Sequence, residues 1–195
     1  SRGLSCSHER PCLFKFNSRI ILNIFVLSDQ ECPVESAIMQ ADRHILSQGK
    51  ESVQLLSNCF SLERLSASDC PRTQKGHPRK HSYPHHPCSK WTAKTKANMD
   101  WLILHAYTQF EEFSFRYKKR HFSQDFLDWI INNIDDSIVP DGELTEFAVA
   151  IQQDKKCRQL PNFDSFSISE KYRQFYIWDK PFVKWEKGRD KPEWY

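Results

Sequence analysis

Met39 to Asn58 reads MQADRHILSQGKESVQLLSN. Within it His44 and Glu51 stand seven residues apart, with Arg43 and Lys50 immediately before each. On a continuous α-helix that step returns both side chains to nearly the same face, about two turns apart. A carboxylate, an imidazole and two cations on an apolar-backed helix describe either chemistry or a solvated face. Upstream, Pro33 suits the first position of a helix, and Val34, Ala37, Ile38, Ala41, Ile45 and Leu46 repeat at helical spacing as one buried stripe. Gly49 reads as a kink or break. The pattern resumes with Val53, Leu55, Leu56, Cys59 and Phe60 towards Leu65.

Further upstream, Arg19 to Leu27 (RIILNIFVL) is apolar and β-branched over a strand length, and predicts one short buried strand. Ser1 to Ser18 is polar and irregular. It reads as a disordered terminus or the remnant of an organelle transit segment. Downstream, Ser66 to Ser89 is rich in Pro, His, Ser and Lys without apolar periodicity, and reads as a long loop. From Trp91 the spacing of Met99, Leu102, Ala106, Phe110, Phe113 and Tyr117 predicts a long helix, with Lys90, Lys94 and Lys96 crowding its start against the macrodipole. Ser123 is placed to cap a helix burying Phe126, Trp129, Ile130 and Ile134. Pro140-Asp141-Gly142 is a turn by composition. Leu144 to Ile151 has the spacing of another short helix. Ser169 is placed to cap one that contains Tyr172, Phe175, Tyr176 and Trp178 and breaks near Pro181.

A chain of 195 residues is long enough for one domain with a sizeable core. Abundant aromatics (Phe 14, Trp 6, Tyr 6) against Gly 5 favour helices over sandwiches or barrels. The expected fold is mainly α: a compact single-domain helical bundle over 23–195 with a short N-terminal strand segment and a long basic loop, preceded by an extension over 1–22. Net charge is only +3, yet Pro71 to Lys96 carries seven Lys/Arg and no acid, while Gln124 to Asp154 carries eight Asp/Glu and no base. Such asymmetry gives a surface suited to a polyanion, or else two solvated patches. No apolar run reaches membrane-spanning length. The seven cysteines show no established zinc spacing, in Cys6-His8-Cys12 or among Cys70, His77, His81, His85, His86 and Cys88. Free thiols in a reducing compartment, and no metal, are expected.

No P-loop, dinucleotide fingerprint, nucleophile elbow or H-E-x-x-H site is present. Three candidates remain: the His44–Glu51 helix, with Glu51 as general base or charge stabiliser; the histidine loop His81, His85, His86; and the closing Lys191-Pro192-Glu193-Trp194-Tyr195. Each alone is a solvated or packing feature as readily as a site. Together they supply phosphate grips and stacking aromatics. A carboxylate amid such a surface opposes polyanion binding, which argues that it is kept for chemistry.

ADRHILSQGKES resembles the A-D-x-H, basic residue and Glu of the phage-type pyrimidine-dimer DNA glycosylases, the phage endonuclease V family. NIFVLSDQECPVESA is similar to the strand and helix entry of longer members, HHPCSKW to their His-led second long helix, and KPEWY to their C-terminal P-x-W-Y. The middle, Gln124 to Asp164, matches only loosely. The resemblance implies a monomeric, cofactor-free protein, intracellular or virus-encoded, that kinks double-stranded DNA and flips a nucleotide out of the stack. It implies catalysis by Glu51 with His44 beside it, and by the α-amino group of the processed terminus, here Asn23, through a Schiff base. It further implies DNA contacts by Arg43, His44, Lys50, His85, His86, Lys90, Trp91, Lys94, Lys191, Trp194 and Tyr195. Two departures stand out. Lys50 offers a point charge where the best-known member has an arginine, and Ser1 to Leu22 precede Asn23. With those residues retained, water can still serve as glycosylase nucleophile, whereas the terminal amine is lost. The alternative is a non-catalytic DNA- or RNA-binding derivative of the same fold.

Overall fold

The computed structural model describes residues 22–195. About 51% of them are helical, and the fold is mainly α. Seven α-helices occur among the described residues: α1 (Pro33–Ile38), α2 (Asp42–Leu56), α3 (Leu62–Ser66), α4 (Pro87–Thr92), α5 (Lys96–Tyr117), α6 (Gln124–Asn132) and α7 (Ile168–Asp179). None is long and apolar enough to cross a membrane.

α2 packs across α5. Gly49 makes the close approach possible: a Cβ there would lie 2.6 Å from the Phe110 ring. The predicted break does not occur, and α2 runs through Gly49 unbroken. The real break in the apolar stripe falls between Met39 and Ala41, where α1 ends and α2 starts. α2 is anchored at its start by a buried charge cluster. Arg116 of α5 donates to the Ile38 and Gln40 carbonyls at 2.8 and 2.6 Å and pairs with Asp42 and Glu112. Arg189 closes on Glu112 at 2.6 Å. Every charge in this buried group has a partner, which is the condition for its being tolerated.

Residues 22–27 were expected as part of a strand; among the described residues there is none, and Arg19 to Ile21 lie outside them. The segment nevertheless alternates as a strand does. Leu22, Ile24 and Val26 enter the cluster formed with α2, α4, α5 and α6, while Phe25 and Leu27 enter a second cluster with α7. Side chains replace the missing ladder: Ser36 Oγ accepts from the Leu27 and Ser28 N–H groups, and Arg173 Nε donates to the Leu27 carbonyl. Leu22 is fully buried and belongs to this core, whereas the rest of the 1–22 extension lies outside the described residues.

Three further boundaries differ from expectation. The helix predicted from Trp91 is two helices, because Thr95 caps α5 by accepting from the Asn98 N–H. No helix forms over 144–151. There Asn98 of α5 binds the backbone and hydroxyl of Thr145, while Thr95 binds the Glu143 carbonyl. Side chains thus take backbone groups that a helix would need. Ser167, not Ser169, caps α7. The basic loop between α3 and α4 contains no helix or strand.

Candidate active site

α2 carries Arg43, His44, Ser47, Gln48 and Glu51 along one side. They meet Asn23 and Phe25 of the buried segment and Asp179 to Val183, where the chain leaves α7. Together these residues line a cavity of about 380 Å³, within the size range of small-molecule sites.

The cavity is aromatic at its base. Phe25 stacks on the His44 ring at 5.0 Å and 9°, and meets Tyr176 edge-on at 5.3 Å. Asn23 Oδ1 accepts from the Tyr172 hydroxyl at 3.1 Å. His44 Nδ1 is hydrogen-bonded to the Tyr176 hydroxyl. Burial, then the nearby Lys180 and Arg43 charges, pulls the imidazole down to about 3, so His44 is neutral near pH 7. Burial likewise raises the Tyr176 hydroxyl far above the usual phenol range. It keeps its proton and has no other acceptor among the described residues, so we assign it as donor to Nδ1, leaving the imidazole proton on Nε2.

Glu51 sits above this base. Burial lifts its carboxyl from 4.5 to about 7, against the opposing pull of hydrogen bonds from Gln48 and Ser47 and of the Lys50 and Lys180 charges. Gln48 Nε2 donates to Glu51 Oε2 at 2.8 Å. A carboxyl near 7 is half ionised at neutral pH and can either give or take a proton.

The rim is cationic and apolar. Arg43 is exposed. Lys180 is lowered by burial, then by repulsion from Lys155 and Arg43, against attraction to Asp179 and Glu51. Phe182 projects with 87% of its surface exposed. The Asp179 carboxylate accepts from the Lys156 and Cys157 N–H groups at 2.8 and 3.0 Å, which fixes this end of α7. Tyr195 donates to the Lys180 carbonyl at 3.1 Å and so braces the same rim.

Of the residues singled out from sequence, Asn23, Arg43, His44 and Glu51 converge on the cavity. The other nine do not line it. Lys50 faces an adjoining depression with Gln54, Thr73, Lys75, Arg79 and Phe122. His85, Lys90 and Lys94 are exposed, and Lys191 is exposed with its ammonium 5.9 Å from the Tyr195 ring. Four expected DNA-contact roles meet a different geometry. His44 has no charge to offer a phosphate, because burial keeps it neutral. His86 caps α4, its Nδ1 accepting from the Cys88 N–H at 3.1 Å. Trp91 is 4% exposed and stacks on Phe147 in the core. Trp194 packs edge-on against Tyr176 beneath the site, and with Tyr195 it supports the rim.

The sequence pattern did not reveal Gln48, Tyr176, Lys180 or Phe182. The only local signal was the D-K-P-F break after α7. Among the described residues no group of three or more His, Cys, Asp or Glu is placed to hold a metal ion. Cys32, Cys59, Cys70, Cys88 and Cys157 are free thiols, and the Cys6-His8-Cys12 group lies outside the described residues. No family model, curated protein or solved structure matches the chain.

Proposed function

We propose that this cavity receives a nucleotide flipped out of damaged double-stranded DNA and that Glu51 drives cleavage of its glycosidic bond. The observation that carries the reading is a buried carboxyl lifted to about 7 in a cavity rimmed by Arg43 and Lys180. Burial alone would favour an apolar residue there, so a strained carboxyl in a cleft is a functional candidate. The cationic rim would hold the phosphates flanking the nucleotide, and the Phe25–His44–Tyr176 base offers flat apolar surface to a ring. Phe182, exposed at the rim, would enter the gap that the nucleotide leaves in the stack.

The chemistry follows from the protonation states. As the base departs with the C1′–N electron pair, the Glu51 carboxylate stabilises the positive charge growing on the sugar. A water then adds to C1′ and gives its proton to Glu51. Neutral His44, with its proton on Nε2, donates a hydrogen bond without adding a competing cation. The resemblance of ADRHILSQGKES to the pyrimidine-dimer glycosylases points to the same lesion class, and the near-neutral Glu51 independently supports a carboxyl kept for acid–base chemistry.

One observation favours a narrower reading, in which the protein binds nucleic acid without cleaving it. Leu22 is buried in the core and bonded to Asn23, so the Asn23 nitrogen in this chain is an amide and not an amine. The test is to offer undamaged, pyrimidine-dimer and abasic-site duplexes over a range of salt. Glycosylase action predicts cleavage of the glycosidic bond in pyrimidine-dimer duplex only, scored after photoreversal because the cyclobutane ring tethers the detached base to its neighbour, with binding that weakens steeply as salt rises. Salt-sensitive binding without that cleavage selects the non-catalytic reading. Absence of binding at low salt rejects both.

A further inference from the structure

The cavity is lined by a lysine, Lys180, whose primary amine the expected chemistry did not call for. Among the described residues lining it, Lys180 carries the one such group, and Glu51 lies on the opposite wall, contributed by α2. We propose that the Lys180 amine is the nucleophile of an abasic-site lyase step, forming an imine with the sugar that base excision leaves behind. The inference rests on the glycosylase reading above, and it needs no free amine at Asn23.

Lys180 is held where such a role requires. It is the residue that ends α7, its N–H bonded to the Tyr176 carbonyl at 3.1 Å. Its own carbonyl accepts from the Tyr195 hydroxyl and the Val183 N–H, at 3.1 and 3.3 Å. The backbone is therefore fixed on both sides of the side chain. The ammonium lies 5.0 Å from the Phe175 ring, which stacks with Phe25 at the cavity base. Partial burial and the neighbouring Lys155 and Arg43 charges lower its proton affinity. These are the two ways a lysine is made a nucleophile near neutral pH, by desolvation and by a second cation.

The step balances with no oxidant or reductant. Hydrolytic excision leaves a C1′ hydroxyl, whose ring-opened form is an aldehyde. The Nζ lone pair adds to C1′, and the resulting carbinolamine loses its oxygen as water to give a protonated imine. The Glu51 carboxylate removes a C2′ proton. The electron pair released shifts towards the imine, and the C3′–O bond breaks with the phosphate-ended strand taking its electrons. Water then hydrolyses the imine and returns the free amine. Glu51 thus serves both steps, while the Lys180 amine acts as nucleophile in the second only.

The experiment is borohydride reduction of the full chain on abasic-site duplex, followed by proteolysis and mass mapping of the adduct. The expected result is a stable adduct on Lys180 of the wild-type protein. On pyrimidine-dimer duplex, Lys180→Arg, which keeps the charge but forms no imine, should lower the ratio of strand nicking to glycosidic-bond cleavage to below about one hundredth of wild type. An adduct mapped to another residue overturns the inference and leaves the glycosylase reading intact. Glycosidic-bond cleavage with no adduct and no nicking does the same. Neither glycosidic-bond cleavage nor adduct overturns both.

Discussion

Glu51 is a residue whose placement costs stability. Its proton is held more tightly in the folded protein, about 7, than in the unfolded chain, near 4.5. Folded protein therefore loses stability as pH rises through that window, and above about 7 the penalty is complete. Glu51→Gln removes the charge and keeps the shape. At pH 8 the variant should be more stable than wild type by on the order of 2 kcal/mol, and at pH 4, where both side chains are neutral, the two should coincide. Urea unfolding at the two pH values checks this; equal stability at pH 8 would mean that Glu51 is not desolvated. The pairing of Glu51 with His44 was legible because a seven-residue step fixes a shared helix face. What covers that face was not. Phe25 and Tyr176 bury His44, and their distance along the chain leaves no periodic trace, so a residue expected to grip phosphate proves to be neutral. Lys180 carries no signal of its own in the sequence, since a lysine at a helix end ordinarily reads as a favourable interaction with the dipole.

At the scale of elements, the site depends on how closely α2 lies against α5. Gly49 sets that approach. In a solvated helix Gly→Ala gains roughly 1 kcal/mol. Here the added methyl would meet the Phe110 ring at 2.6 Å. Gly49→Ala should instead destabilise the fold by about 1–3 kcal/mol, and Phe110→Leu in the same chain should recover part of that loss. Thermal unfolding of the single and double variants measures both. A stabilised Gly49→Ala would show that the helices are not in contact there. Helix existence was readable wherever an apolar stripe was sustained, as in α2, α5 and α6. The failures came where side chains compete for the backbone. Asn98 and Thr95 hold 143–145 out of a helix despite the inward positions of Phe147 and Ile151, and Ser36 and Arg173 stand in for a strand partner along 26–28. Such partners are set by tertiary structure, which a local pattern does not record.

Over the whole molecule, the two charged stretches seen in sequence are joined among the described residues by one ion pair, at Lys96, and the other cations that pair with the acidic stretch, Arg64 and Arg120, lie outside the basic one. Lys96 pairs with Asp141 at 3.3 Å, Arg64 with Asp136 at 2.7 Å, and Arg120 with Asp125 and Asp128 at 2.6 and 2.9 Å. Much of the acidic stretch is therefore screened locally. Positive charge is left on the basic loop and around the cavity, where Arg43, Lys155 and Lys180 repel one another. That arrangement suits a polyanion passing over the mouth between α2 and the end of α7, with Glu51 as the acid within. The mainly α class was legible from composition and periodicity, and so was one wall of the site. The other wall came from a segment over a hundred residues further on, brought in by the packing of α7 against Phe25. The most direct test of Glu51 as the excising carboxyl is single-turnover cleavage of the glycosidic bond in pyrimidine-dimer duplex by wild type and Glu51→Gln, scored as base freed after photoreversal of the cyclobutane ring, with DNA affinity measured on the same preparations. Cleavage should fall by about a thousandfold or more while affinity is retained or improved, since a carboxylate has been removed from a phosphate-binding surface. Cleavage by Glu51→Gln at the wild-type rate would contradict that role.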